Sequence, residues 1–289
     1  MSVRKQVLTV AAASASYWIG DGFPSRTLFP LGEVHDFSPF LVVGYVGPAK
    51  FEPSKRPRGV GGHPHRGFET VTIVYQGSVD HKDSAGHSGT IDTGDVQWMT
   101  AASGLVHEEM HGKELTAKGG DFEIVQLWVN LPAAHKMSKP RYQGILKAHI
   151  PRVELGLGSY GRVIAGELNG VKGVAETFTP VNVFDIRLDA AGIAEVTLPA
   201  GHNAAIALLR GGIVVNGSTR LEGSPHIAHL GTSGESLLLE AKDESLVLVL
   251  SGEPLNEPVV SHGPFVMNTE AEIRRAFEDF QAGKMGHVS

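Results

Sequence analysis

The sequence predicts an all-β protein made of two β-barrels in tandem and closed by one C-terminal α-helix. Short segments rich in β-branched and apolar residues alternate with glycine turns along most of the chain. These strand candidates fall into two blocks of similar size with no helical pattern between them, which is typical of antiparallel sandwiches and barrels. An apolar stripe of helical period appears only near the C-terminus.

Composition limits the classes of function. The chain has 289 residues, of which 42% are hydrophobic, so it can bury the cores of roughly two domains. No apolar run reaches the length of about 18 residues that a membrane span needs, and no membrane partner is expected. The net charge of -6 is spread along the chain without a basic block, which argues against direct binding of nucleic acid.

The chain contains no cysteine. This excludes disulfides, cysteine nucleophiles, iron–sulfur clusters and thiolate-bound zinc. Any metal must therefore be held by imidazole and oxygen ligands.

The N-terminus resembles a signal peptide, with Arg4 and Lys5 before an apolar run that starts at Val7. That run is short and contains Thr9, and the segment from Gln6 to Val10 also has the pattern of a half-buried strand. We interpret it as a strand and predict a cytoplasmic protein.

The first barrel is predicted over residues 1–135. Between about Phe40 and Leu131, strand candidates are separated by glycine turns such as 84–89 and 93–95. The strand candidates are 69–76, 90–91, 96–100 and 124–131. An irregular connector, 132–151, follows.

The second barrel is predicted over residues 136–289 and ends in a helix, 269–283. Its strand candidates are 181–188, 194–198, 204–209, 212–215, 236–239 and 246–250. Thr269 and Glu272 form a capping box at the start of the helix, and the apolar stripe begins at Ile273. We expect this helix to pack on the second barrel.

Two short motifs carry the chemistry of the chain. One is His63-Pro64-His65 and the other is His107-Glu108-Glu109. Because residues two apart in a strand face the same side, His63 and His65 share a face, and so do His107 and Glu109. Two such pairs on neighbouring strands of a barrel converge, which predicts a site of three imidazoles and one carboxylate.

This ligand set suits one first-row transition metal and leaves coordination positions open for substrate or dioxygen. The ligand types leave Fe, Mn, Ni, Cu and Zn open. The alternative is that these residues are ordinary members of the 14 histidines in the chain. Two spaced pairs in a chain without cysteine favour the metal.

Several longer motifs resemble the pirin family of the cupin superfamily. They cover nearly the whole chain and comprise 63–70 (HPHRGFET), 94–101 (GDVQWMTA), 126–132 (QLWVNLP) and 262–269 (HGPFVMNT). The resemblance implies a bicupin, with two tandem cupin jelly-roll β-barrels and iron, Fe2+ or Fe3+, in the N-terminal barrel only. Its ligands would be His63, His65, His107 and Glu109.

Two features depart from a general cupin. Such a protein would take its carboxylate ligand at Glu69, whereas the pirin pattern uses Glu109, so we predict that Glu69 has a structural or supporting role. The C-terminal block has His202, His226 and His229 but no pair of the HxH type. We expect no metal there.

The resemblance implies quercetin 2,3-dioxygenase (quercetinase) activity, an oxidoreductase reaction in which O2 opens the ring of a flavonol and carbon monoxide is released. Glu109 is the predicted catalytic residue, because it can accept the proton of the substrate hydroxyl if it detaches from the metal or rotates on it. The alternative is a regulatory protein that binds transcription factors or metabolic enzymes according to the state of its metal, without turnover. A zinc or manganese isomerase of the cupin type is a third reading.

Other residues near the motifs are assigned no chemistry. His81, His87 and His111 are predicted to be solvated or hydrogen-bonded, and Arg66 should point away from the metal by strand parity. Phe68 and Trp98 are candidates for the cavity wall, although buried aromatic residues usually belong to the core.

Overall fold

The computed structural model describes residues 3–29, 37–223 and 225–288, and it confirms the predicted all-β fold with two barrels and a C-terminal helix. The chain forms two compact units. We call Ala15–His35, Phe40–Lys147 and Asn256–Ser289 the N-terminal unit. We call Met1–Ser14, Asp36–Pro39 and Ala148–Leu255 the C-terminal unit.

This division differs from the predicted boundary between residues 135 and 136. The predicted connector contains a strand, Arg141–Ile145, that pairs with Val96–Thr100 and so extends the main sheet of the N-terminal unit. The two ends of the chain also depart from the predicted division. Residues 1–14 belong to the C-terminal unit, and residues 256–289 belong to the N-terminal unit. Strand pairing over long sequence separations, which local patterns do not reveal, decides both assignments.

The N-terminal unit consists of two antiparallel sheets and a short hairpin. The larger sheet has the order β12-β9-β6-β11-β4-β3-β2, the smaller sheet has the order β5-β10-β7-β8, and the hairpin is β25-β26. The strands are β2 Tyr17–Ile19, β3 Phe23–Phe29, β4 Phe40–Phe51, β5 Gly59–His65, β6 Phe68–Gln76, β7 Ser78–Asp83, β8 Ser88–Asp92, β9 Val96–Thr100, β10 Leu105–His111, β11 Gly120–Asn130, β12 Arg141–Ile145, β25 Val260–His262 and β26 Phe265–Met267. The helices are α1 Lys113–Lys118 and α2 Glu270–Gln281, and single 3-10 turns lie at Ala133–His135 and Lys147–His149.

One end of the N-terminal unit is filled by an apolar core, and this core does not extend through the whole interior. Its side chains come from both sheets and from α1, and they comprise Phe23, Val46, Phe51, Val74, Val79, Ile91, Leu115, Phe122 and Ile124. The rest of the interior contains polar side chains, including the predicted metal ligands, which are buried on β5 and β10. Burial of this many polar groups is costly without partners, so this region is the candidate for a functional site.

The C-terminal unit repeats the two-sheet plan. Its larger sheet has the order β1-β22-β19-β24-β17-β14-β13, its smaller sheet has the order β18-β23-β20-β21, and β15 pairs with β16. The strands are β1 Val7–Ala12, β13 Arg152–Gly156, β14 Ser159–Ala165, β15 Glu167–Leu168, β16 Val171–Lys172, β17 Val181–Leu188, β18 Ile193–Thr197, β19 Asn203–Arg210, β20 Gly212–Val215, β21 Thr219–Glu222, β22 His226–Leu230, β23 Ser236–Ala241 and β24 Ser245–Gly252.

The interior of the C-terminal unit is apolar. Side chains such as Phe184, Leu208, Val249 and Leu239 form one continuous cluster between its two sheets. The predicted N-terminal strand is confirmed as β1, which pairs with β22 at the edge of the larger sheet. The two units therefore share a plan but differ in what fills them.

The C-terminal segment corrects one prediction, because α2 packs on the N-terminal unit instead of the second barrel. Ile273 and Ala276 of α2 are buried in a cluster with Val106 and Phe265. The capping box is confirmed, since the Thr269 side chain accepts a hydrogen bond from the backbone N–H of Glu272. The apolar stripe identified a buried helix face correctly, but a stripe does not specify the surface that covers it.

No helix in the described part of the chain is both long and apolar enough to cross a membrane.

Candidate metal centre

Strands β5 and β10 are antiparallel neighbours that bring the two histidine motifs together. His63 lies directly opposite His107, and Glu109 lies opposite Val60. Between these two pairs β5 contains one extra residue, a β-bulge at the Gly61-Gly62 sequence. The bulge changes the alternation of β5, so Val60 and His63 both line the same cavity although they are three positions apart.

The three predicted histidine ligands form one cluster. Ligand nitrogens of His63, His65 and His107 all lie within 4.8 Å of one another. The ring centroids are 4.2 Å apart for His63 and His107, 4.9 Å for His63 and His65, and 5.0 Å for His65 and His107. His107 and His65 are buried and His63 is partly exposed, so the cluster is reached from the side of His63.

Backbone carbonyls set the tautomers of two of these rings. The Nδ1–H of His63 donates to the carbonyl of Gly61 at 2.9 Å, and Nδ1 of His65 lies 3.4 Å from the carbonyl of Pro264. A proton on Nδ1 leaves the Nε2 lone pair free for a metal, which is the common outer-shell arrangement of histidine ligands. The Pro264 contact also shows that the C-terminal segment takes part in the site.

Burial keeps the cluster neutral. It lowers the pKa of His65 to about 3, with the neighbouring His63 as a further cause. It also lowers the pKa of His107 well below the usual range, and His65, His63 and His81 add to this effect. Neutral imidazoles are the form that binds metal.

The surroundings of the His107 ring indicate that the cluster is suited to a metal. Its ring is fully buried, and neither Nδ1 nor Nε2 has a hydrogen-bond partner in the described part of the chain. A buried imidazole without partners is costly, whereas coordination by one of its nitrogens would offset that cost. Three neutral imidazoles with convergent nitrogens suit Fe, Zn, Cu or Ni.

Glu109 lies beside the cluster but is not among the three residues whose ligand atoms converge. Gln126 donates from Nε2 to Oε1 at 3.1 Å and to Oε2 at 2.9 Å, and Thr72 donates to Oε1 at 3.2 Å. An ionised carboxylate has about four acceptor positions. These three contacts therefore leave Oε2 able to accept one more partner.

A cavity of about 290 Å³ opens beside His63 and Glu109. Its volume is at the lower end of the range of roughly 300–1,000 Å³ that small-molecule sites have. It is lined mostly by apolar side chains, with polar groups at His63, Glu109 and Gln126 and hydroxyls at Tyr17, Ser25 and Thr27. The full lining is Tyr17, Ile19, Phe23, Ser25, Thr27, Val42, Gly44, Val46, Val60, His63, Glu109, Ile124, Gln126 and Trp128.

Glu69 is buried and, like Glu109, lies outside the histidine cluster. It accepts a hydrogen bond from the Thr100 hydroxyl at 2.7 Å. Burial raises the pKa of Glu69 to about 7, and the Thr100 hydrogen bond opposes this shift. The group of metal-ligating residues found in the described chain contains none of His202, His226 and His229.

The histidines that were assigned no chemistry are hydrogen-bonded. His111 is buried, and its Nε2 is 2.8 Å from the carbonyl of Gly22. His81 and His87 both contact the Asp83 carboxylate, at 3.4 Å and 3.0 Å. His81 is buried rather than solvated, and its ring lies 5.4 Å from that of His107.

The large aromatic side chain beside the histidine cluster that lines the cavity is not one of the two that the sequence suggested. Phe68 and Trp98 are fully buried, and neither lines the cavity. Trp128 does line it, and its ring lies 4.3 Å from Phe68 and 5.2 Å from His65. Gln126 and Trp128 share a strand face, and a glutamine among the apolar residues of β11 was the available signal for this wall.

Comparisons with known proteins show what this chain is similar to. The family model Pirin matches residues 22–129, and the model Pirin C-terminal cupin domain matches residues 183–286. A Pseudomonas aeruginosa protein named "putative quercetin 2,3-dioxygenase" is 49% identical over 97% of this chain and 98% of its own. A Solanum lycopersicum pirin-like protein is 40% identical over 92% of this chain and 88% of its own. The crystal structure of quercetin 2,3-dioxygenase from Acinetobacter baumannii, 48% identical, superposes with a TM-score of 0.95 over 99% of both chains.

Proposed function

Because this chain belongs to the pirin family, we propose that it is a flavonol 2,3-dioxygenase of the quercetinase type. The proposed cofactor is one iron ion held by His63, His65, His107 and Glu109, and the co-substrate is O2. The observation that carries the proposal is the joint presence of convergent imidazoles and an apolar cavity that reaches them. A metal centre that no cavity reached would be as consistent with a structural role as with a catalytic one.

The lining of the cavity supports a flat aromatic substrate. Val42, Val46 and Ile124 offer apolar surface, and the Trp128 ring offers an aromatic edge or face. Acidic and imidazole groups come from Glu109 and His63, and Tyr17, Ser25 and Thr27 add hydroxyls. An apolar ring system that ends in hydroxyl groups matches this distribution, since its hydroxyls meet polar partners and its rings displace water.

A bound metal would supply Lewis acidity toward a substrate hydroxyl and redox chemistry with O2. Glu109, once it detaches from the metal or rotates on it, would accept the hydroxyl proton at Oε2, the oxygen that has a free acceptor position. Gln126 and Thr72 hold the carboxylate in place while this happens, because each donates to it. The apolar walls keep competing water away from the proton acceptor.

The proposal is tested by measuring metal content together with oxygen consumption. Purified protein would be loaded with Fe2+ without oxygen, freed of excess metal, and mixed with quercetin and other flavonols while oxygen and carbon monoxide are followed. We expect stoichiometric iron and iron-dependent oxygen uptake with release of carbon monoxide. Iron-loaded protein that consumes no oxygen with any flavonol would contradict the enzyme proposal and favour a regulatory role.

The Glu109→Gln variant separates proton transfer from binding. It retains the size of the side chain but removes the charge and the basic oxygen, so we expect kcat to fall by about 10²–10⁴-fold, the usual contribution of a general base. The KM for quercetin should change much less. Both are measured by oxygen uptake at saturating iron, with the iron content of each sample recorded.

The matched control is Glu108→Gln, which makes the same chemical change at the next position of β10. Glu108 is partly exposed and does not line the cavity. Its variant should retain wild-type activity. Equal kcat values for wild type and Glu109→Gln, at equal iron content, would remove Glu109 from the reaction.

A further inference from the structure

Gly44 is one of the residues that line the cavity. It lies on β4 directly opposite Gln126 of β11, which holds Glu109, and on its other side it lies opposite Thr27 of β3. Val42 and Val46, two residues before and after it on the same strand face, also line the cavity. A side chain at position 44 would therefore extend into the cavity, close to Gln126.

Neither backbone conformation nor close packing requires glycine here. Gly44 is not among the glycines of positive φ. A Cβ added to it would lie 3.5 Å from the carbonyl oxygen of Gln126 and 3.8 Å from Oγ of Ser25, which are ordinary contacts. Gly47 of the same strand differs, because a Cβ there would lie 2.3 Å from the Phe122 carbonyl oxygen.

Glycine within a strand weakens the strand and is used where a ligand or another backbone approaches closely. No described atom approaches within 3.5 Å of the position that a Cβ at Gly44 would take. The cavity itself is the remaining explanation. We propose that Gly44 sets the upper size limit of the substrate, because it leaves open the space beside the Gln126–Glu109 pair.

This inference rests on the proposed function and adds the residue that selects among substrates. A multi-ring planar phenol needs the space above Gly44 to place its hydroxyl at Glu109. A single-ring phenol fits between the polar end and the valines without that space. Larger residues at position 44 should therefore exclude the large ligands first, while the metal ligands on β5 and β10 stay unchanged.

The test measures dissociation constants of two probes, quercetin and catechol, for the iron-loaded wild type, Gly44→Ala and Gly44→Val. Trp128 lines the cavity, so its fluorescence reports binding, with calorimetry as a second method. We expect Gly44→Val to weaken quercetin binding by roughly tenfold to a hundredfold, the usual cost of overpacking expressed as affinity. Gly44→Ala should have an intermediate effect, and catechol binding should change little.

The control is Gly231→Val in the C-terminal unit. A Cβ at Gly231 would also meet no atom closer than 3.8 Å, and its φ is not positive. This variant should bind both probes as the wild type does. It tests whether adding a valine at an unhindered glycine is harmful in itself.

The outcomes separate this inference from the proposed function. Equal quercetin affinity of wild type and Gly44→Val would overturn the size limit, and so would equal losses for quercetin and catechol. Loss of iron from Gly44→Val would also overturn it, since the residue would then act through the metal centre. Wild type that binds quercetin and consumes no oxygen would contradict the dioxygenase and leave the size limit standing.

Discussion

Replacing His107 by alanine is expected to remove most of the bound metal and to reduce flavonol-dependent oxygen uptake to background. His107 is the fully buried ring of the cluster, and both of its nitrogens lack partners in the described chain. Losing a direct ligand should weaken metal binding by more than the roughly 10–100-fold that loss of an outer hydrogen-bond partner costs. Elemental analysis and oxygen uptake measure the two effects.

Thermal unfolding adds a readout that does not depend on activity. Metal that binds only the folded state raises its stability, so added Fe2+ should raise the Tm of the wild type and leave that of His107→Ala unchanged. His149→Ala replaces an exposed histidine and is the control, with metal content expected to equal that of the wild type. Equal metal content in wild type and His107→Ala would refute the ligand assignment.

Replacing Asp279 by asparagine is expected to destabilise the N-terminal unit by about 3–5 kcal/mol, the usual cost of removing one partner of a buried ion pair. Asp279 on α2 pairs with Arg66 at 3.0 Å, and the Arg66 side chain is only 5% exposed. Arg66 follows the ligand His65 in sequence, and its Nε donates to the carbonyl of Ser103. Without the carboxylate, the guanidinium stays buried with its charge uncompensated.

Urea unfolding at neutral pH measures this loss, and Glu278→Gln on the exposed face of the same helix is the control. Metal affinity should also fall in Asp279→Asn, because α2 and the preceding hairpin hold Pro264 against His65. An unfolding midpoint equal to that of the wild type would show that α2 does not anchor Arg66.

The same ion pair predicts an acid transition. Hydrogen bonding from Lys284 and Arg66 lowers the pKa of Asp279 from 3.8 to about 2. A carboxylate whose pKa is lower in the folded state stabilises the protein above pH 3.8, and this contribution is lost as the pH falls toward about 2. Wild type should therefore lose stability over this interval, and Asp279→Asn should lack that part of the pH dependence.

Local patterns were sufficient for several of the strands and for the proximity of three predicted ligands. Strands such as β9 and β17 were predicted with the bounds that the structure has, because period-two alternation between turn residues is a local property. The spacing of His63, His65 and His107 placed three imidazoles together for the same reason. The membership of Glu109 in the ligand set stays a prediction.

Tertiary structure alone decided how the cavity and the supporting contacts are built. Gly44 and Gln126 meet through pairing of β4 with β11, and Arg66 meets Asp279 through the docking of α2, each across a long stretch of chain. The bulge in β5 also changes which residues face the cavity, which strict alternation cannot anticipate. Within strands that have no bulge, the sequence by itself determined which side chains share a strand face, since that follows from backbone geometry. Which surface each face meets depends on long-range pairing, and that is set by the packing of the whole unit.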